Sequence, residues 1–290
     1  MSTGDDKQLP LDRRSLRFIN CGVSGMVYAV DEFSVVKWPG GGENNSRELE
    51  IERRIFERLG EHPRIVKVLR VERDMLVLER LQYPLRLQMH ELRGSGAKPA
   101  VKDILKWSAQ AAEGMQYFHS KSVYQVDIGL HNLLLDWDDN VKYCDFAGSS
   151  LDGQKALVLG SERTEHPSWS GIPWVQSEIF SLGCMIYEIS TTQRVYEGKD
   201  ELEMQSLYAK GVFPQTEDLL LGPVMRKCWT GGYEDVGLAA AEIRAIQRRT
   251  LLGDPNFTLF EVMQHKKAQQ SGGGKLSLFS KSSAVGPLLT

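Results

Sequence analysis

Five residues in this chain have side chains and spacing suited to handling a phosphate and a metal ion. Asp127 and Asn132 stand five apart in "SVYQVDIGLHNLLLD" (Ser122 to Asp136), and Asp145 follows in "VKYCDFAGSS". A positioned carboxylate can take the proton of an attacking hydroxyl. An amide oxygen and a second carboxylate are hard ligands of the kind Mg²⁺ prefers. Upstream, Lys37 lies inside the apolar run "SVVKWP" and Glu52 lies in "RELEIERRIFERL". A lysine in such a run should point at something anionic, and a carboxylate on the next helix is a natural partner. Gly22 and Gly25 in "NCGVSGMVY" allow backbone N–H groups to come close to phosphates. Each feature also has a plain structural explanation. The glycines suit a hairpin, the lysine could snorkel to solvent, and the Asp and Asn residues could cap their own turns.

The elements that must position these residues come in two blocks. From residue 15 to about 81 the signals are mostly short strands. These are "FINCGVSGMVYAV", "FSVVKW", and two runs within "HPRIVKVLRVERDMLVLERL" that meet at Glu72 to Asp74. One helix interrupts them, with Ile51, Ile55 and Leu59 on an apolar stripe and Ser46 placed to cap its start. After residue 82 helices dominate. Ile104, Ala111, Met115 and Phe118 share a face over 102–120, and "QSEIFSLGCMIYEIS" is apolar nearly all round, as in a helix buried at the centre of a domain. "LLLGPVMRKCWTGG" predicts a further helix ending at glycines. Residues 1–14 read as a disordered leader and 269–290 as a flexible tail, with five Ser and four Gly among the last twenty residues.

Composition excludes several classes. The chain has 290 residues, 41% hydrophobic and 25% charged, with a net charge of -3. It offers no basic footprint for nucleic acid or an anionic membrane, and no apolar run reaches the roughly 20 residues of a membrane span. Cys21, Cys144, Cys184 and Cys228 contain no CxxC pair, which argues against a zinc site or a disulfide framework and for a reducing compartment, cytoplasmic or nuclear.

The order of these motifs resembles the eukaryotic protein kinase superfamily over about residues 15–250. "NCGVSGMV" resembles its glycine loop, "VVK" its nucleotide-lysine strand, "MLVLERL" its hinge strand, "QVDIGLHNLLL" its catalytic loop and "CDFAG" its metal motif. Asp145 follows Asp127 by eighteen positions, the family's usual gap. The resemblance implies an α+β, bilobal protein-kinase-like fold with a β-rich N-lobe over 15–81 and a helical C-lobe over 82–268. It implies ATP and Mg²⁺ as cofactors and a protein hydroxyl as acceptor, serine or threonine by default. It assigns Asp127 as base, Lys37 and Glu52 as the ion pair behind the phosphates, and Asn132 and Asp145 as metal ligands. ATP would lie against Gly22, Gly25, Val27, Lys37, the gatekeeper Leu78, the hinge Glu79 to Leu81, and Leu134.

The chain also departs from the family pattern. Gln125 and Val126 replace the usual His-Arg, so activation-loop phosphorylation would have no arginine to pair with, while Gln125 can still bond to backbone. Gly129 stands where serine/threonine kinases carry a lysine. His131 occupies the position of a tyrosine-kinase arginine and is a candidate substitute donor when protonated. Ala147 replaces the metal-motif glycine, Cys144 would line the nucleotide pocket, and Glu178 stands in place of an Asp. "TEHPSWSGIPW" lacks the Ala-Pro-Glu anchor, and the "TGGYEDVG" after "KCW" offers no obvious arginine to pair with it. "DFAGSS" with such a loop resembles a divergent group of fungal kinase-like proteins. These departures leave two readings open, an active kinase and a pseudokinase that binds nucleotide or a partner without phosphotransfer.

Overall fold

The computed structural model describes residues 11–22, 24–41 and 43–253. Five strands form one antiparallel sheet: β1 (Arg17–Cys21), β2 (Gly25–Ala29), β3 (Ser34–Pro39), β4 (Val68–Glu72) and β5 (Met75–Glu79), in the order β1-β2-β3-β5-β4. The period-2 alternation of β5 explains why its run "MLVL" is buried on both faces. Leu76 and Leu78 join the main core, while Met75 and Val77 pack with Tyr28 and Val36 in a smaller outer cluster. In β3 the same alternation sends Val36 outward and Lys37 inward, opposite Val27 and Leu76.

Helix α1 (Glu43–Leu59) packs Ile55 and Leu59 into the main core with Ile51 half-buried. It starts earlier than the sequence predicts, so Ser46 lies inside the helix and is not its cap. The leader expectation also fails over its last residues. Arg13–Ser15 is a short 3-10 helix, and the Leu11 N–H donates to Glu72 Oε1 at 3.1 Å. The rest of that leader and the predicted tail lie outside the described residues.

The second block is helical: α2 (Leu85–Gly94), α3 (Val101–Ser120), α4 (Val175–Thr191), α5 (Glu201–Ala209), α6 (Gly222–Trp229) and α7 (Val236–Leu251). Thirteen of the seventeen residues of α4 are buried, as its uniformly apolar sequence predicts, and α3, α6 and α7 pack around it or around one another. Gly183 lets α6 lie directly on α4, since a Cβ there would sit 2.7 Å from the Cys228 Cβ. Four short strands lie between α3 and α4: β6 (Val123–Tyr124) pairs with β9 (Ser150–Leu151), and β7 (Leu133–Leu135) pairs with β8 (Val141–Tyr143). Among the described residues no helix is long and apolar enough to cross a membrane.

Candidate functional site

The two blocks meet at Lys37. Its Nζ donates to Glu52 Oε2 and to Asp145 Oδ1, both at 2.7 Å, so β3, α1 and the loop after β8 converge on one ammonium. Glu52 is fully buried and its second oxygen accepts the Phe146 N–H at 3.0 Å. Burial alone would pull the Lys37 pKa down, but the Asp145 and Glu52 carboxylates outweigh it and hold it above its ordinary value. Burial raises Glu52 despite the Lys37 charge. Burial also works to raise Asp145, yet the adjacent Lys37 charge wins and its pKa is lowered. Asp145 has left-handed backbone with φ 58°, which turns its carboxylate toward the lysine.

The loop between β6 and β7 holds Asp127 in a fixed orientation. Its Oδ2 accepts from His131 Nε2 at 2.9 Å and from Asn132 Nδ2 at 3.1 Å. Asn132 Nδ2 also donates to the Asp127 carbonyl at 3.0 Å, which leaves the amide oxygen of Asn132 facing away from these contacts. Gln125 is buried and bridges the two loops: its Nε2 donates to the carbonyls of Cys144 at 2.7 Å and Asp145 at 3.1 Å. The backbone bonding expected of Gln125 is present.

A cavity of about 520 Å³ opens beside these groups, in the usual size range of small-molecule sites. Val27, Lys37, Leu78, Glu79, Leu81, Asn132, Leu134, Cys144 and Asp145 all line it. The Leu81 N–H, at the cavity's edge, has no hydrogen-bond partner among the described residues. Gly22 and Gly25 do not line the cavity; Asn20 and Val27 beside them do. Gly25 has a packing reason to be glycine, because a Cβ would fall 2.4 Å from the Trp38 carbonyl oxygen on β3. Cys144 has its thiol pushed far up by burial, and Asp145 adds to the effect, which makes it an apolar wall.

The family model for protein tyrosine and serine/threonine kinases matches residues 34–235, well over half of the chain. The chain belongs to that family. Its kinase domain is 28% identical over 135 residues to a probable serine/threonine-protein kinase of Dictyostelium discoideum, covering 43% of this chain and 14% of that protein. It is 27% identical over 172 residues to CBL-interacting serine/threonine-protein kinase 8 of Arabidopsis thaliana, covering 48% of this chain and 37% of that protein. It is also 27% identical over 206 residues to the epidermal growth factor receptor of Apis mellifera, covering 66% of this chain and 16% of that protein. The chain thus spans well under half the length of these curated relatives.

Within this kinase domain, replacements stand at the departures from the family pattern. Glu178 reaches the backbone as the shorter Asp would: Oε1 accepts the Val126 N–H at 2.6 Å, and Oε2 pairs with His119 Nε2 at 2.6 Å. The sequence shows no anchor for the segment after Asp145, but the structure has one in Arg163. Its guanidinium donates to the carbonyls of Val195 at 3.3 Å, Tyr196 at 2.7 Å and Lys199 at 2.8 Å. Next to it, Thr164 Oγ1 donates to the Ile128 carbonyl of the catalytic loop at 2.8 Å, and Ser181 Oγ donates to the Thr164 carbonyl at 2.6 Å. A lone arginine in a loop gives no pattern to read, so sequence reasoning missed it. Finally, His131 does not stand as a free donor: it spends Nε2 on Asp127 and meets Arg86 Nη1 with Nδ1 at 3.1 Å.

Proposed function

We propose that this kinase domain transfers the γ-phosphate of ATP, with Mg²⁺, to a protein hydroxyl, serine or threonine by default, without needing phosphorylation of its activation segment. The observation that carries the proposal is the double contact of Lys37 with Glu52 and Asp145. It supports an assembled site, because it joins strand, helix and metal-motif loop at one ammonium.

The donor set fits Mg²⁺. Asp145 Oδ2 and the Asn132 amide oxygen are oxygen donors beside the cavity, both without a partner among the described residues. No cluster of three or more His, Cys, Asp or Glu able to hold a metal occurs among the described residues. Two protein oxygens, with phosphate and water completing the shell, suit a cation that binds few protein ligands. When bound, Mg²⁺ would neutralise charge on the phosphate oxygens.

Lys37 would hold the α and β phosphates, its stem aimed by Glu52. Leu134 would lie under the adenine, with Leu78 as the gatekeeper and the Leu81 N–H as its hydrogen-bond donor. Asp127 Oδ2 is taken by His131 and Asn132, so Oδ1 is left to accept the proton of the acceptor hydroxyl and orient it for in-line attack. Val126 cannot pair with a phosphate, while Gln125, Arg163 and Thr164 tie the segment down by uncharged or backbone contacts that need no modification. The four free cysteines support a reducing compartment, cytoplasm or nucleus.

A pseudokinase reading is favoured by one feature: Gly129 offers no cation at the phosphoryl group, and Arg86 nearby is already committed to Glu188. The deciding experiment is transfer of radiolabelled γ-phosphate by purified protein with Mg²⁺ or Mn²⁺ and generic Ser/Thr and Tyr acceptors. Transfer lost in both Asp127→Asn and Lys37→Met would uphold the proposal. ATP binding without transfer would instead favour the pseudokinase.

A further inference from the structure

A chain of polar contacts leads away from Asp127 into the helical lobe. Glu188 on α4 is buried and takes Arg86 in a forked pair, Nε to Oε1 at 2.9 Å and Nη2 to Oε2 at 3.1 Å. The third guanidinium nitrogen, Nη1, faces His131 Nδ1 at 3.1 Å, and His131 Nε2 faces Asp127 Oδ2 at 2.9 Å. Arg86 also donates its backbone N–H to the Leu130 carbonyl at 3.1 Å, fixing the start of α2 against the same loop.

The chemistry gives this chain a direction. A guanidinium carries only donors. His131 Nδ1 must therefore accept from Arg86, and the ring proton sits on Nε2, donating to Asp127. The contact at Gly129 shows that the arrangement is built in. A Cβ there would fall 2.6 Å from both Cε1 and Nδ1 of His131 and 3.3 Å from Arg86 Nη2. Gly129 has no positive φ, and what a Cβ there would displace is the side-chain ends of the His131–Arg86 pair.

We propose that Glu188, Arg86 and His131 form a relay of positioning residues that holds the Asp127 carboxylate with Oδ1 free for the acceptor hydroxyl. The proposal rests on the phosphotransfer reading above and adds to it Arg86 and Glu188, which lie on α2 and α4 outside the catalytic loop. His131 acts through Asp127 and is fixed in one tautomer by Arg86. Arg86 is in turn fixed by Glu188, whose buried carboxylate has no other cation within bonding distance among the described residues.

The test combines kinetics with a structural signal. His131→Ala and Arg86→Ala should each lower kcat about tenfold to a hundredfold, the cost of a misplaced reacting group, with any change in KM for ATP smaller, although His131 lines the cavity. The double variant should be no slower than either single one, because each change cuts the same chain. His131→Gln keeps one acceptor and one donor and should retain most of the rate. Arg86→Ala strips the buried Glu188 of its partner, so Arg86→Met/Glu188→Met serves where that variant unfolds. Single-variant losses that multiply in the double variant, or a raised KM for ATP with kcat intact, would overturn the relay. The second arm labels histidines with ¹⁵N and assigns His131 by its loss in His131→Gln. A proton on Nε2 in the wild type supports the relay, and a proton on Nδ1 overturns it. A wild type that transfers no phosphate would defeat the phosphotransfer reading, and the tautomer alone would then decide whether the relay geometry holds.

Discussion

Replacing Lys37 with methionine should cost stability as well as nucleotide binding, and the stability loss should depend on pH. Lys37 is the cation paired with Glu52, whose carboxylate is fully buried and would keep only the Phe146 N–H. Removing one partner of such a pair leaves an uncompensated buried charge, at about 3–5 kcal/mol. Asp145 adds little, because 38% of its side chain is exposed and solvent screens it. At about 2–4 °C per kcal/mol for a domain of this size, the melting temperature should fall by about 6–20 °C at pH 8. The sign with pH follows from Glu52. Its pKa is already raised in the fold, and losing the Lys37 charge moves it further up. A carboxyl whose folded pKa lies above its unfolded value of about 4.3 destabilises the fold once pH exceeds that value, and the penalty grows until the folded pKa is passed. The gap between wild type and Lys37→Met should therefore be wide at pH 8 and narrow at pH 5. Lys37→Met/Glu52→Leu should regain most of the loss, since it removes the stranded charge. Thermal unfolding by circular dichroism at both pH values reads this directly. A Lys37→Met protein within 2 °C of wild type at pH 8, or a deficit larger at pH 5, would refute the reasoning.

Gly129→Ala should cost about 1–3 kcal/mol by overpacking against His131 and Arg86; chemical denaturation checks it, and His131→Ala/Gly129→Ala should recover part of that loss. Gly183→Ala should destabilise by a similar about 1–3 kcal/mol through its clash with Cys228 and Trp229, with KM for ATP unchanged because α4 and α6 meet away from the cavity. Arg163→Ala should free the segment from the Val195, Tyr196 and Lys199 carbonyls; limited proteolysis should then cut within 155–174 faster than in the wild type. Native protein treated with iodoacetamide at pH 8 should label Cys21 first, because it is exposed, while burial pushes the Cys184 thiol up to about 12 and the Cys144 and Cys228 thiols higher still. Mass spectrometry of the labelled peptides gives the order.

What the sequence made legible was whatever repeats with a period or sits at a motif spacing. The alternation of β3 put Lys37 and Val36 on opposite faces, and the stripe of Ile51, Ile55 and Leu59 aimed Glu52 inward. The all-apolar run of α4 marked a central helix. Contacts that depend on a single side chain reaching across the fold left no such trace. Arg163 grips carbonyls some thirty residues later, and Arg86 pairs with Glu188 across 102 positions. Ser46 misled because a capping residue type near a helix start carries no information on where the first turn closes. The glycine at 25 was legible as a glycine but not for its reason. Its partner is the Trp38 carbonyl on the neighbouring strand, and only the register of β2 with β3 reveals it.

The departures from the family pattern share a physical logic. At Gln125 and Glu178 a different side chain still makes contacts to the backbone. Gln125 bonds to the Cys144 and Asp145 carbonyls with a neutral amide. Glu178 is one methylene longer than Asp and still meets the Val126 N–H, while a histidine, His119, fills its other oxygen. Val126 keeps the left-handed turn of the catalytic loop, with φ 71° in a β-branched residue, a conformation that costs about 1–3 kcal/mol. The fold accepts that strain because the turn aims Asp127. The left-handed turn at Val126, the packing at Gly129 and the paired oxygen of Asp127 converge on one carboxylate, and the Arg163 guanidinium holds the later segment through backbone carbonyls.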